Sequence, residues 1–263
     1  MAGNSSARGE SVASRLLRVL DAFSVERPEL GLTDISRTSG LPPATAHRLL
    51  RELIEHGAVQ RMAAGRYAIG LRLWEIGRLT PVVSCLDEVA MPYLQDLYQA
   101  THGSVHVAVP VGADAVYVLA INGHQPVRPL RPPGTRVSLA SPGIGQVLLA
   151  YAPTEVRHHV LADYSHRTCE RPAGSAYGLR RSLADIRRQG LAVSRDSSEP
   201  FSAAAPVFRA QATILGAVSV AVRATGDGFL VGNLLCRTAA EISRELGTSK
   251  RECPGIEEGH NAG

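Results

Sequence analysis

Along residues 31–70 the spacing of apolar and polar positions shifts from a helical period to a strand period, and the shift predicts an order of elements. Thr33 before Asp34 reads as an N-cap followed by a negative residue in the first turn, where both favour the positive end of a helix, and Ile35 is its apolar anchor. Gly40 is a C-terminal stop. Leu41-Pro42-Pro43 cannot continue a helix but can open one, because proline lacks only an amide that would be unpaired there. From Ala44 onward, Ala46, Leu49, Leu50, Leu53 and Ile54 recur every three or four residues and form one buried stripe. Thr45, His47, Arg48, Arg51 and Glu52 fall on the opposite face, and Gly57 ends the helix. Residues 59–62 and 66–69 then read as short strands around Ala63-Ala64-Gly65, with Arg61 and Arg66 near the hairpin tip. Short helices, a tight turn, a basic helix and a hairpin make a winged helix-turn-helix, a module that places one helix in the DNA major groove.

Beyond the hairpin, Leu71, Leu73, Trp74, Ile76 and Leu79 repeat helically until Thr80-Pro81. A second helix follows, with Leu86, Val89, Ala90, Tyr93, Leu94, Leu97 and Tyr98 on one side and Gly103 as its stop. Trp74, the sole tryptophan, is read first as a core residue; the alternative is that it packs against a second chain. Residues 105–111 and 115–121 are strand-like around Gly112-Ala113-Asp114, a hairpin signal. Helical stretches at 154–162 and 183–189, strands at 191–195, 203–207 and 214–222, and a closing helix over 228–246 complete an interleaved pattern around an antiparallel sheet. The expected class is α+β. Its domains are a disordered start (1–10), the winged module (11–70), a linker helix (71–85), a second domain (86–247) and a disordered tail (248–263).

Composition narrows this without deciding it. The chain has 263 residues, 44% hydrophobic and 20% charged, with a formal charge of +4. Residues 1–80 hold 11 Arg against 8 Asp and Glu, whereas the remainder holds 17 basic against 16 acidic residues, so the winged module carries most of the excess. Lys250 is the only lysine, and guanidinium suits bidentate nucleic-acid contacts, although a GC-rich genome favours arginine everywhere. Cys85, Cys169, Cys236 and Cys253 show no C-x-x-C pair or zinc-ligand spacing, which fits a reduced cytoplasmic protein with no metal and no cofactor. No signal peptide or apolar run of membrane-spanning length is read, so no membrane partner is expected.

The stretch 139–151, LASPGIGQVLLAY, sets Gly143 and Gly145 at the entry to a helix with an apolar face of Val147, Leu148, Leu149 and Ala150. Small residues there let an anionic ligand approach the free amides of the helix start; a simple packing turn is the blander reading, and the strand context of a dinucleotide fingerprint is missing.

The chain resembles the IclR family of bacterial transcription regulators. Ser11-Val12-Ala13-Ser14-Arg15, the run from Leu32 to Pro42, Thr45-Ala46-His47-Arg48-Leu49-Leu50 and Tyr67-Ala68-Ile69-Gly70-Leu71 carry the resemblance, which extends over nearly the whole chain. It implies that the second domain is a GAF-like effector-binding domain and that the protein regulates transcription under a small-molecule effector, as a repressor. DNA contacts are then expected from Ala44, Thr45, His47, Arg48, Arg51, Arg61 and Arg66. The same resemblance puts Gly143, Ile144, Gly145 and Gln146 in the effector loop, Ser194, Ser202, Ser219 and Ala221 on pocket strands, and Pro129 on one wall. Gln146 stands where the family has lysine, Pro142 replaces Ser or Thr, Ser194 stands where some members carry Asp, and Ser202 where many carry Cys. The expected partners are double-stranded operator DNA, a small effector such as a carboxylate, and further copies of the chain, as a homodimer or as a tetramer on DNA.

Two rival classes stand against this. A catalytic reading has no G-x-S-x-G elbow and no ordered triad spacing, and His158 and His159 are adjacent and so point to different sides of a helix. No catalytic residue is therefore assigned. The other rival is a DNA-independent sensor or adaptor whose winged module binds protein.

Overall fold

The computed structural model describes residues 10–122, 131–167, 176–194, 201–209, 213–223 and 228–248. Pro129 and the outer parts of both termini expected to be disordered lie outside them. Two compact units, Met1–Thr80 and Pro81–Gly263, divide the chain.

The first unit opens with α1 (Val12–Leu20), whose N-cap Ser11 accepts a hydrogen bond from the Ser14 amide at 3.0 Å. Glu10, counted with the disordered start, instead accepts hydrogen bonds from Arg18 Nη1 at 3.1 and 2.9 Å. A short β1 (Glu29–Leu30) precedes α2 (Leu32–Ser39), whose cap is Gly31, with no side chain bonding the free amides. Thr33 is thus inside the first turn and not the cap that its hydroxyl suggested. The reason is that β1 delivers the chain already extended at Gly31, so the helix starts a residue or two earlier than Thr33 would allow. Gly40 ends α2 in the left-handed region (φ 66°), as the pattern required. Next, α3 (Pro43–Glu55) carries Pro43 in its first turn and buries Ala46, Leu49, Leu50 and Leu53, with Ile54 half-buried. Strands β2 (Val59–Arg61) and β3 (Tyr67–Ile69) flank a 3-10 turn, and β1 adds to β3, giving the order β1-β3-β2. The hairpin was legible from its alternation; β1, two residues long, has no period to read. Val19, Ile35, Leu49, Leu50 and Val59 centre this unit's core.

The helix α4 (Leu71–Gly77) follows. Residues 81–85, expected to finish the linker, open α5 (Pro81–Thr101) in the second unit. Trp74 is 62% exposed, and Leu71, Ile76 and Leu79 are exposed with it, so the core reading of Trp74 fails. The residue in left-handed conformation that ends α5 is His102 (φ 51°), one before the expected Gly103.

In the second unit β4 (Ser104–Val111), β5 (Asp114–Ile121), β6 (Arg136–Ser138), β7 (Ala192–Ser194), β8 (Phe201–Phe208) and β9 (Ile214–Val222) form one antiparallel sheet in the order β6-β5-β4-β9-β8-β7. One face bears Val105, Val107, Val109, Val218 and Val220 and packs on α5 and α9 (Gly228–Thr248). The other bears Ala108, Ala115, Ala204 and Ala217 and receives α6 (Ile144–Tyr151), α7 (Thr154–Arg167) and α8 (Ala176–Gln189). The α5/α9 face is the richer in valine and the α6 face the richer in alanine, and the small side chains let α6 pack against the strands. Cys85 is disulfide-bonded and Cys236 is a free thiol, which corrects the expectation of uniformly reduced cysteines. Sequence spacing does not show which cysteines the fold brings within bonding distance. No helix of the described residues is long and apolar enough to cross a membrane.

Candidate functional sites

The first site is the outer face of α3. Burying Ala46, Leu49, Leu50 and Leu53 on one side turns Ala44, His47, Arg48 and Arg51 outward as exposed residues, with Thr45 half-buried between. Glu52 and Glu55 stand four residues beyond Arg48 and Arg51, where helical ion pairs form, yet among the described residues neither arginine makes an ion pair or a side-chain hydrogen bond. Other arginines of this unit are held: Arg37 by Asp34 and Arg72 by Glu75, each at 2.9 Å. The wing splits the same way. Arg61 is exposed and has no partner among the described residues, whereas Arg66 donates to the Glu29 carbonyl and pairs with the Glu29 carboxylate at 3.4 Å. On α3 and the wing hairpin, three exposed guanidinium groups, Arg48, Arg51 and Arg61, are thus uncommitted among the described residues, and Arg66 is already partly neutralised.

A second site lies on the alanine-bearing face of the large sheet. Directly opposed residues on neighbouring strands share a face, so the register assembles two rows. Ser194 opposes Ser202, Ser202 opposes Ala221, and Ala221 opposes Ser104; one step along, Ala192, Ala204, Ser219 and His106 align in the same manner. Ser194, Ser202, Ser219 and Ala221 are only partly buried, so the helices leave this end of the face incompletely covered.

Next to the β7 end of these rows is a cavity of about 440 Å³, lined among others by Gly143, Gln146, Arg181, Ser182 and Ser194. Gln146 is clamped there: its Nε2 donates to the Ala140 carbonyl at 3.2 Å and its Oε1 accepts from the Ser182 hydroxyl at 2.7 Å. Gly143 (φ 78°, ψ −120°) has a backbone that side-chain-bearing residues avoid, and a Cβ on it would face open space. Gly145 differs. A Cβ there would stand 2.6 Å from the Ser138 carbonyl oxygen, so this glycine lets α6 pack against the preceding backbone and does not open a path for a ligand. Ile144 is likewise turned into the core. The structure thus brings Gly143, Gln146 and Ser194 to the cavity, and Ser194, Ser202, Ser219 and Ala221 to one face; it takes Ile144 and Gly145 away from both.

Sequence reasoning did not single out His106. Only 6% exposed, it stacks edge-on against Tyr117 at 5.7 Å, and its Nε2 is buried with no hydrogen-bond partner among the described residues. Burial, with the Arg131 charge adding, lowers its pKa from 6.5 to about 4, so the ring is neutral near pH 7. Burial also raises the Tyr117 phenol, an effect that Arg131 opposes. A signal was available: in β4 the residues Ser104, His106 and Ala108 alternate with Val105, Val107 and Val109, small or polar on one face and branched on the other.

An exposed basic helix on a winged module, joined to a sheet domain with a partly uncovered polar face, defines a ligand-responsive DNA-binding regulator. Residues 12–62 match the IclR helix-turn-helix domain and residues 83–244 match the bacterial transcriptional regulator IclR C-terminal domain, so the chain belongs to the IclR family. It is 31% identical over 213 residues to the HTH-type transcriptional regulator XynR of Escherichia coli, covering 78% of this chain and 83% of that protein. Identity to the glycerol operon regulatory protein of Streptomyces coelicolor is 29% over 248 residues, 90% of this chain and 96% of that one. Among solved structures, an IclR homologue from Microbacterium hydrocarbonoxydans complexed with 4-hydroxybenzoate superposes with a TM-score of 0.81 at 27% identity, covering 90% of this chain and 99% of that one. The protein is a transcriptional regulator with a DNA-binding and an effector-binding domain.

Proposed function

We propose that this regulator is a cytoplasmic repressor that binds operator DNA as a homodimer, or as a tetramer on DNA, and is released or retained by a small carboxylate effector. The observation that carries the DNA half is the set of exposed, unpaired Arg48 and Arg51 on α3, with Thr45 and His47 beside them where recognition helices meet base edges. The effector half rests on the uncovered polar rows of the sheet, and on a relative whose solved structure holds 4-hydroxybenzoate. Dimerisation draws support from α4 and the residues just after it, where Leu71, Trp74, Ile76 and Leu79 leave an apolar surface in water. Two such heads read two half-sites of a palindrome. Regulation is linkage: the effector binds one arrangement of the heads more tightly and shifts the population towards it.

The test begins by mapping the sites this protein occupies on its genome, then titrating one occupied duplex by fluorescence anisotropy with and without 4-hydroxybenzoate and other small carboxylates. Binding that weakens steeply with salt and changes with one carboxylate is the expected result. Salt-insensitive binding, or none at any mapped site, would sink the DNA half, and indifference to every carboxylate titrated would sink the carboxylate effector. Sedimentation of the free protein as a monomer at micromolar concentration would remove the dimer.

A further inference from the structure

We propose that His106, Tyr117 and Arg131 form the anchoring end of the effector site and that the group they hold is a carboxylate. This rests on the effector-sensing reading above and deepens it by naming the polar contacts.

The backbone brings the three together from separate segments. His106 on β4 and Tyr117 on β5 are in edge-on ring contact. The segment carrying Arg131 then folds back onto the same place: the Gly134 amide donates to the Tyr117 carbonyl at 2.8 Å, the Tyr117 amide donates to the Thr135 carbonyl at 2.9 Å, and a turn closes from the Thr135 amide to Pro132 at 3.1 Å. Arg131 enters that turn, and its charge acts on both rings. Among the described residues Arg131 has no ion-pair partner. The ladder sets Ser219 directly opposite His106, on the same face.

The buried His106 nitrogen, with no partner among the described residues, is unfavourable until something satisfies it, and the half-buried Arg131, whose charge acts on that ring, favours an anion there. An anion does so, and its charge decides which. One guanidinium balances one negative charge; a phosphate dianion would leave a net buried negative charge beside a neutral ring, whereas a carboxylate leaves none. Guanidinium and carboxylate also match as forks. With the carboxylate fixed there, the rest of the ligand lies along the strip of Ser219, Ala221, Ser202 and Ser194, whose serine hydroxyls suit a polar substituent.

The experiment uses the full chain and isothermal titration with acetate, pyruvate, benzoate and phenylacetate, each beside its primary amide. The variants are His106→Phe, which keeps the ring and removes the nitrogens, His106→Gln, which restores a donor, and Arg131→Gln. The expected result is that at least one carboxylate binds the wild type about tenfold or more tighter than its amide. His106→Phe and Arg131→Gln lose that preference and His106→Gln keeps part of it. The melting temperature of ligand-free His106→Phe is not lowered, since the variant breaks no hydrogen bond. Equal carboxylate affinity in wild type, His106→Phe and Arg131→Gln overturns the anchor while the sensor reading stands. Failure of every carboxylate to bind the wild type overturns the proposal too, and titration with neutral sugars and polyols then shows whether the sensor reading survives. If His106→Phe does not fold, the Arg131→Gln and His106→Gln comparison decides the same question.

Discussion

Among the described residues, Arg48 and Arg51 stand in water on α3 with no counter-charge, whereas His106 is shut inside the second unit with a ring nitrogen that no hydrogen bond satisfies. Both are uncommitted polar groups, but they are kept uncommitted on different terms. An exposed guanidinium without a partner gives up at most the fraction of a kcal/mol that a surface ion pair is worth. A buried unpaired nitrogen costs about 1–3 kcal/mol. The outer face of α3 is thus nearly free of stability consequences, and the polar face of the large sheet carries a standing destabilisation that a hydrogen-bonding ligand relieves. Functional sites are where a fold tolerates such local conflict.

The largest expected effect sharpens the buried side of this contrast. The pKa of His106 falls from its ordinary 6.5 to about 4, with burial as the main cause and Arg131 adding to it. Between those values the unfolded chain takes up a proton that the folded chain refuses, so stability is full above pH 6.5 and is lost as pH falls towards 4. The shift corresponds to about 3 kcal/mol. Replacing His106 with Phe removes that loss, while carboxylates titrate alike in both proteins. Urea unfolding at pH 7.5 and at pH 4.5 is therefore expected to show a stability gap favouring the variant that widens by about 2–3 kcal/mol at the lower pH. Parallel pH profiles would mean that His106 is solvated and that the contrast is false.

On the exposed side, Arg48→Ala is expected to lower affinity for operator duplex by about 1–3 kcal/mol, the worth of a bidentate base contact, and to lower affinity for scrambled duplex much less. Stability is expected to change by less than about 0.5 kcal/mol, since the side chain touches no partner. An equal weakening on both duplexes would move Arg48 from base reading to phosphate contact.

The two surfaces were also unequally legible in the sequence. Everything on α3 follows from one helical period: once Ala46, Leu49, Leu50 and Leu53 are buried, the facing of Arg48 and Arg51 is fixed within a single helix. The polar face of the large sheet joins Ser104 and His106 to Ser219 and Ala221 through strand register, and register between strands so far apart in the chain leaves no local trace. Family resemblance supplied Ser194, Ser202, Ser219 and Ala221, which the sheet places on one face, but it also supplied Ile144 and Gly145, which packing withdraws. Trp74 failed for a related reason: helical spacing shows that α4 has an apolar side, not that this chain covers it.

Gly143 and Gly145 allow that lesson to be tested, because they look alike in sequence and differ in structure. Gly143→Ala meets no atom but must hold a strained backbone, a cost of about 1–2 kcal/mol. Gly145→Ala has an ordinary backbone but pushes a Cβ to 2.6 Å from the Ser138 carbonyl, which forces α6 away from β6. Thermal unfolding is expected to drop for both. Effector binding should survive in Gly143→Ala and weaken in Gly145→Ala, whose change moves the cavity wall at Gln146. The reverse ranking would make Gly143 the glycine that meets the ligand and would show that α6 accommodates a side chain at Gly145.

The smallest effect separates the two arginines of the wing. Removing one phosphate contact flattens the slope of log affinity against log salt by about 0.9. Arg61 is unpaired among the described residues, so Arg61→Ala is expected to show nearly that full change. Arg66 shares its charge with the Glu29 carboxylate and is anchored to the Glu29 carbonyl, so it has less charge to offer a phosphate. Arg66→Ala should change the slope by clearly less, and adding Glu29→Gln to the wild type should steepen it by releasing Arg66. Matching slopes for Arg61→Ala and Arg66→Ala would show that the Glu29 pair opens on DNA, and then free-state pairing would not distinguish the wing arginines that read phosphate from those that merely support the fold.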